Sequence, residues 1–99
     1  MTYLASPVAE RTEPAVTLLK AMANERRLFI LRHLQNGEQS VGELNEQMRL
    51  SQSALSQHLA WLRRDGLVKT RKEAQTVYYS LASDEAAELI DLLDRLYDK

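Results

Sequence analysis

Leu50-Ser51-Gln52-Ser53-Ala54-Leu55-Ser56-Gln57-His58-Leu59, followed by Leu62-Arg63-Arg64-Asp65-Gly66-Leu67-Val68, is the stretch on which the fold turns. Ser51 is suited to cap a helix running to about Asp65, with Leu50 and Leu55 at the two positions of a hydrophobic staple. Gly66 is placed for a left-handed stop at the far end, with Leu62 touching Leu67. At about 100° per residue, Leu55, Leu59 and Leu62 share one face, which is the core face. The opposite face carries Ser53, Gln57, Ala60 and Arg64, with Ser56 at its edge.

Toward the N-terminus, Ser40-Val41-Gly42-Glu43 fits a capping box, and Leu44 and Met48 are the inward positions of the helix it opens. Only Arg49 and Leu50 separate that helix from Ser51, so the two are joined by a tight turn. Asn24 caps an earlier helix with Leu28, Leu31 and Leu34 inward, closed by the Asn36-Gly37 turn signal. Ala15, Val16, Leu18, Leu19, Met22 and Ala23 recur at helical spacing and form the first helix, after an arm punctuated by Pro7 and Pro14. Toward the C-terminus the pattern becomes period two at Val77, Tyr79 and Leu81, with Lys72-Glu73-Ala74-Gln75 as the turn of a β-hairpin. Ser83 caps the last helix, whose stripe of Ala86, Leu89, Leu93 and Leu96 is widened by Ile90, Leu92 and Tyr97. The expected fold is mainly α with a β-hairpin (α+β): four helices, the hairpin as a wing, and a fifth helix, with a tight turn between helices three and four. Residues 1–12 are expected as a flexible arm and residues 13–99 as a single winged-helix domain.

Ninety-nine residues make one small domain that buries only about 60–65% of its unfolded surface, so a partner subunit would help it. No run of 18 apolar residues is present, and residues 1–12 lack the basic start and apolar run of a signal peptide, which points to the cytoplasm. The chain has no cysteine, which excludes a disulfide framework, a thiolate metal site and a cysteine nucleophile. The net charge of −1 is unevenly spread. Arg63, Arg64, Lys69, Arg71 and Lys72 face only Asp65 and Glu73 within 51–76, whereas 77–99 carries six acidic residues against Arg95 and Lys99. A basic block beside an acidic one suggests that one face meets phosphate.

A helix face of small polar side chains fits a major groove of about 12 Å, where Gln57 can pair with adenine and Ser51, Gln52, Ser53 and Ser56 can meet base edges or phosphates. Arg64, with Arg71, Lys72 and Gln75 at the hairpin tip, would reach phosphates or the neighbouring minor groove. His58, at the edge of the same helix, is counted with these DNA-facing residues and reads as a half-buried side chain bonded to a neighbouring element rather than as a catalytic base or metal ligand. His33 is likewise alone, so no metal site is assigned. Three scattered glycines form no phosphate loop, and no serine has a histidine and acid arranged as a triad, so an enzyme is not expected.

The quoted stretch, with Ala21-Met22-Ala23-Asn24-Glu25-Arg26-Arg27-Leu28 and Glu73-Ala74-Gln75-Thr76-Val77-Tyr78-Tyr79, resembles the ArsR/SmtB family from about Ala15 to Tyr97, and within it the branch of HlyU, NolR and the BigR-type regulators. The resemblance implies a winged-helix homodimer, joined through its first and last helices, that regulates transcription by binding an imperfect palindrome. Val16 and Leu19 with Leu89, Leu93, Leu96 and Tyr97 are the residues expected at that dimer interface. Metal-sensing relatives carry cysteines on helix three where this chain has Ser40 and Gly42, and the last helix has no histidine. Oxidisable relatives carry cysteines at the positions of Arg32 and Asp98, which the resemblance therefore implies are close enough to form a charge pair, the alternative being two independent solvated residues. Neither metal nor cysteine redox sensing is expected, and no cofactor. The alternative is a winged-helix module that binds protein, a use that does not require the basic segment.

Overall fold

The computed structural model describes residues 6–97. Their elements are α1 (Pro7–Met22), α2 (Glu25–Leu34), β1 (Gln39–Ser40), α3 (Val41–Met48), α4 (Gln52–Arg64), β2 (Val68–Glu73), β3 (Thr76–Leu81) and α5 (Asp84–Tyr97). This is the winged helix-turn-helix order, with α3 and α4 as the two helices of the turn and β2–β3 as the wing.

Most helix ends are set by side chains reaching orphan backbone groups. Asn24 accepts from the Arg26 and Arg27 amides at 2.9 and 3.1 Å, and Ser83 from that of Ala86 at 3.1 Å. The capping box of α3 is complete: the Ser40 amide donates to Glu43 Oε1 at 2.8 Å, and the Glu43 amide to Ser40 Oγ at 3.1 Å. Arg49 then turns left-handed at φ 55° and directs the chain into Ser51, whose Oγ accepts from the Ala54 amide at 3.1 Å. At the far end of α4, Gly66 adopts φ 77°. The Leu67 amide reaches Leu62 O at 2.9 Å and the Gly66 amide reaches Arg63 O at 3.1 Å, a full Schellman closure.

The core joins Ala21 and Met22 of α1, Ile30, Leu31 and Leu34 of α2, Leu44 and Met48 of α3, and Leu55, Leu59 and Leu62 of α4. Leu67, Val68, Ala86 and Ile90 complete it.

Several sequence expectations are corrected. The first helix begins at Pro7, not Ala15, so residues 7–12, expected in a flexible arm, are its first turns. Ser6 caps it through the Ala9 amide at 3.1 Å, and Pro7 occupies the first helical position, where a missing N–H costs nothing. Pro14 lies inside the helix on an exposed turn, where water can serve the carbonyl it leaves unbonded. Residues 1–5 lie outside the described residues.

On α2, Leu28 is half-buried, while Arg27 and Ile30 are buried. On α5, Ala86 and Ile90 enter the core, Leu89 and Leu93 are half-buried, and Leu92, Leu96 and Tyr97 are exposed, so the expected stripe is only partly covered. The wing turn is shorter than expected: Lys72 and Glu73 belong to β2, and Ala74-Gln75 alone reverses the chain. A third strand joins the hairpin in the order β1-β3-β2, with Gln39 opposite Tyr79 and Ser40 opposite Tyr78. Two residues between a turn and a helix cap show no periodicity, so β1 has no signature of its own.

Two positive-φ positions with different occupants give a matched test. An added Cβ at Gly66 would meet nothing within 4 Å, so Gly66→Ala bears only backbone strain and should cost about 1 kcal/mol. Ala74 already sits at φ 54°, so Ala74→Gly should stabilise the fold by roughly 0.5–1 kcal/mol. Urea unfolding of both variants checks the pair, and a change of the same sign in both would contradict it.

Candidate nucleic-acid interface

The candidate surface begins with the amphipathic geometry of α4. Leu55, Leu59 and Leu62 are no more than 1% exposed, so the helix cannot rotate about its axis without losing core contacts. That fixes Ser51, Gln52, Ser53, Ser56 and Gln57 outward, all exposed, with the Oγ atoms of Ser51 and Ser53 3.4 Å apart. Ala60, Arg63 and Arg64 continue the face and border an open cleft closed by Val41 and by Tyr79 of β3. No bulky apolar side chain projects from this face, and its polar groups lie at helical spacing along about three turns.

Trp61 flanks it. Its Nε1 donates to Asp65 Oδ2 at 3.0 Å, and two guanidinium groups stack on its ring, Arg27 at 3.8 Å and Arg64 at 5.2 Å from the centroid. Arg27 is buried, donating from Nε to Ala21 O at 2.7 Å and from an Nη to Lys20 O at 3.2 Å. It thereby ties the end of α1 to α2 and α4. Burial pulls its pKa below the usual arginine value, and Asp65 acts against that shift. Sequence reasoning missed this arginine, although it shares the helical stripe of Ile30, Leu31 and Leu34. A cation on an apolar stripe marks a buried, hydrogen-bonded charge.

His58 is half-buried and has no hydrogen bond among the described residues, contrary to the expectation of one. Burial, and then the charges of Arg27 and Arg26, hold its imidazole below the ordinary value of 6.5. A proton there would add a third positive charge to a partly desolvated cluster.

On the wing, Arg71, Lys72 and Gln75 are all exposed, but they are not equivalent. Arg71 donates from Nε and Nη2 to the two carboxylate oxygens of Glu38 at 3.0 and 2.7 Å, and from Nη1 to Glu73 Oε2 at 2.6 Å. Its guanidinium also lies 4.6 Å from the Tyr78 ring centroid. The hydrogen bond from Arg71 keeps the Glu38 carboxylate below its usual range, and the same bonds raise Arg71 well above its own. Glu38 gave no sequence signal, because its role comes from a partner 33 residues away.

The expected dimer residues lie on α1 and α5. Val16, Leu19, Leu96 and Tyr97 are exposed, and Leu89 and Leu93 are half-buried. Leu18, Leu89 and Leu92 line an open groove between the two helices. Arg32 Nη2 lies 2.9 Å from Asp94 Oδ1, and Gln35 donates to Asp91, so α2 is strapped to α5. The expected Arg32–Asp98 pair falls on a residue outside the described ones. Among the described residues no group of three or more His, Asp or Glu side chains is arranged to hold a metal ion.

Residues 24–70 match the model of the bacterial regulatory proteins of the arsR family. The chain is 71% identical over 83 residues to the transcriptional activator HlyU of Vibrio cholerae, which covers 84% of this chain and 77% of that protein. It is 49% identical over 88 residues to the nodulation protein NolR of Rhizobium meliloti, covering 89% and 72%. A solved homodimeric winged helix-turn-helix DNA-binding domain from Mycobacterium bovis, a possible ArsR-family regulator, superposes with a TM-score of 0.80 at 32% identity. That match covers 91% of this chain and 83% of that one.

The imidazole gives a pH signature. Its depressed folded-state value means that the unfolded chain binds more protons below about pH 6.5, so acidification through that window lowers stability. His58→Gln should therefore lose less of its melting temperature between pH 7.5 and 5.5 than the unmodified protein. Parallel losses measured by circular dichroism would show that His58 makes no such contribution.

Proposed function

Because the chain belongs to the arsR family of bacterial regulatory proteins, we propose that it is a sequence-specific DNA-binding transcriptional regulator. It acts as a homodimer on an imperfect palindrome at promoters, as a repressor or by displacing another repressor. The observation that carries this reading is the outward face of α4, polar, narrow and fixed in rotation by three buried leucines. Gln57 reads a base edge, bidentately where it meets adenine, and Ser53 and Ser56 accept or donate beside it. Ser51 and Gln52 at the helix N-terminus meet phosphate, which the helix dipole and the first free amides favour. His58 supports this face from its buried edge. Arg64, Arg71, Lys72 and Gln75 flank it toward the backbone, Arg71 with its charge already offset by Glu38 and Glu73.

Dimerisation uses the apolar residues that the monomer leaves outward on α1 and α5. Val16, Leu19, Leu96 and Tyr97 are 40–76% exposed, and a second copy covers them together with Leu89 and Leu93. Two recognition helices related by a dyad then meet successive major grooves about 34–36 Å apart. The chain works in the cytoplasm, where promoters are, and no described helix is long and apolar enough to cross a membrane. We assign it no catalytic activity and no metal or thiol sensor, the 99 residues containing no cysteine.

Fluorescence anisotropy against salt tests the reading. With about six phosphates neutralised, log K should fall against log[salt] with a slope near −5, and a salt-independent or monomeric complex would refute the proposal. Gln57→Ala should cost roughly 1–3 kcal/mol on the specific site and little on random DNA. Equal losses on both duplexes would remove Gln57 from base readout.

A further inference from the structure

The wing holds its central cation in a carboxylate clamp. In the strand order β1-β3-β2, Arg71 on β2 reaches across Tyr78 on β3 to Glu38, the residue immediately before β1. Three of its five N–H donors are already bonded to carboxylate oxygens at 2.6 to 3.0 Å. Glu38 is anchored because its neighbour Gln39 is paired with Tyr79 and donates to His33 O at 3.1 Å. Glu73 stands two residues from Arg71, on the same face of β2. One guanidinium against two carboxylates makes the clamp itself net negative, and Lys69, two residues before Arg71 on the same face of β2, brings that face to neutrality. Lys72, on the opposite face of the strand, makes no ion pair among the described residues.

We propose that Glu38 and Glu73 determine specificity, withholding Arg71 from the phosphates of random DNA so that the wing adds discrimination rather than general affinity. This rests on the DNA-binding reading above. A phosphate approaching Arg71 finds only one N–H left on each Nη, must displace a carboxylate to gain a bidentate contact, and meets two carboxylates beside its own charge. On random sequence that exchange gives no net gain. On a cognate site, α4 holds the duplex in one register by base contacts, and the wing is not needed for retention. General affinity grows with every free cation, so offsetting one per wing lowers binding to the non-cognate excess more than binding to the operator.

The experiment compares the unmodified dimer with Glu38→Gln, Glu73→Gln and the double variant on two duplexes. One carries a site selected by the unmodified protein from a random pool, and the other is its scrambled sequence. The double variant should bind the scrambled duplex about 10-fold more tightly at moderate salt, with a slope steeper by about 0.9 per wing. Its affinity for the selected site should rise less, so the ratio between the two duplexes falls. Adding Arg71→Gln to the double variant should abolish the gain. A gain that survives this third substitution would come from lost negative charge in general and overturns the proposal, as does an unchanged affinity and slope. A loss on both duplexes with an unaltered melting curve also overturns it, since the carboxylates would then be presenting Arg71 to DNA. If the unmodified protein binds neither duplex, the DNA-binding reading itself fails, an outcome distinct from all of these.

Discussion

Leu55, Leu59 and Leu62 form one buried line on α4, and the rest of the molecule is arranged around it. Together they are the inner face of a helix that touches α2 and β2, and each is withdrawn completely from water, worth roughly 1.5–3 kcal/mol apiece. A helix of 13 residues with serines at its start has little intrinsic stability, so this line decides whether it forms and which way it faces. Its outer face is polar by the same constraint.

Electrostatics in this chain follow partners more closely than net charge. Arg27, Arg64 and Arg71 each lie against an aromatic ring, yet their charges serve different ends. Arg27 is desolvated and gives its donors to the last carbonyls of α1, acting as a C-terminal clasp on that helix. Arg64, 68% exposed in its side chain and only 3.4 Å from Asp65, keeps most of its field. Arg71 is neutralised in place. The surplus of positive charge within 51–76 therefore overstates what the surface presents, because Glu38, outside that segment, has to be counted with it.

What the sequence made legible was local. The caps at Asn24, Ser40, Ser51 and Ser83, the stop at Gly66 and the leucine spacing in α4 each involve residues within a few positions of one another, and all are present. The start of α1 is not legible in this way, because proline in a sequence reads as punctuation. Pro7 instead opens the helix, and Pro14 is tolerated on an exposed turn. β1, the Arg27–Trp61 stack and the Glu38–Arg71 clamp depend on partners 33 to 40 residues apart, which no periodicity records. The outward side chains of α4 were legible as a face, whereas the inequality between Arg71 and Lys72 was not, since both read as cations on a hairpin.

Ser40 belongs to two structures at once. Its backbone lies opposite Tyr78 in the sheet, and its extended conformation, φ −77° and ψ 161°, is the one that aims its hydroxyl at the first turn of α3. Peeling β3 away from β1 would free that backbone and loosen the cap with it, which couples the wing to the helix-turn-helix through one residue. Val68, Tyr79 and Leu81 tie the same hairpin directly to the core, so Ser40 is one of several points at which the wing meets the helices.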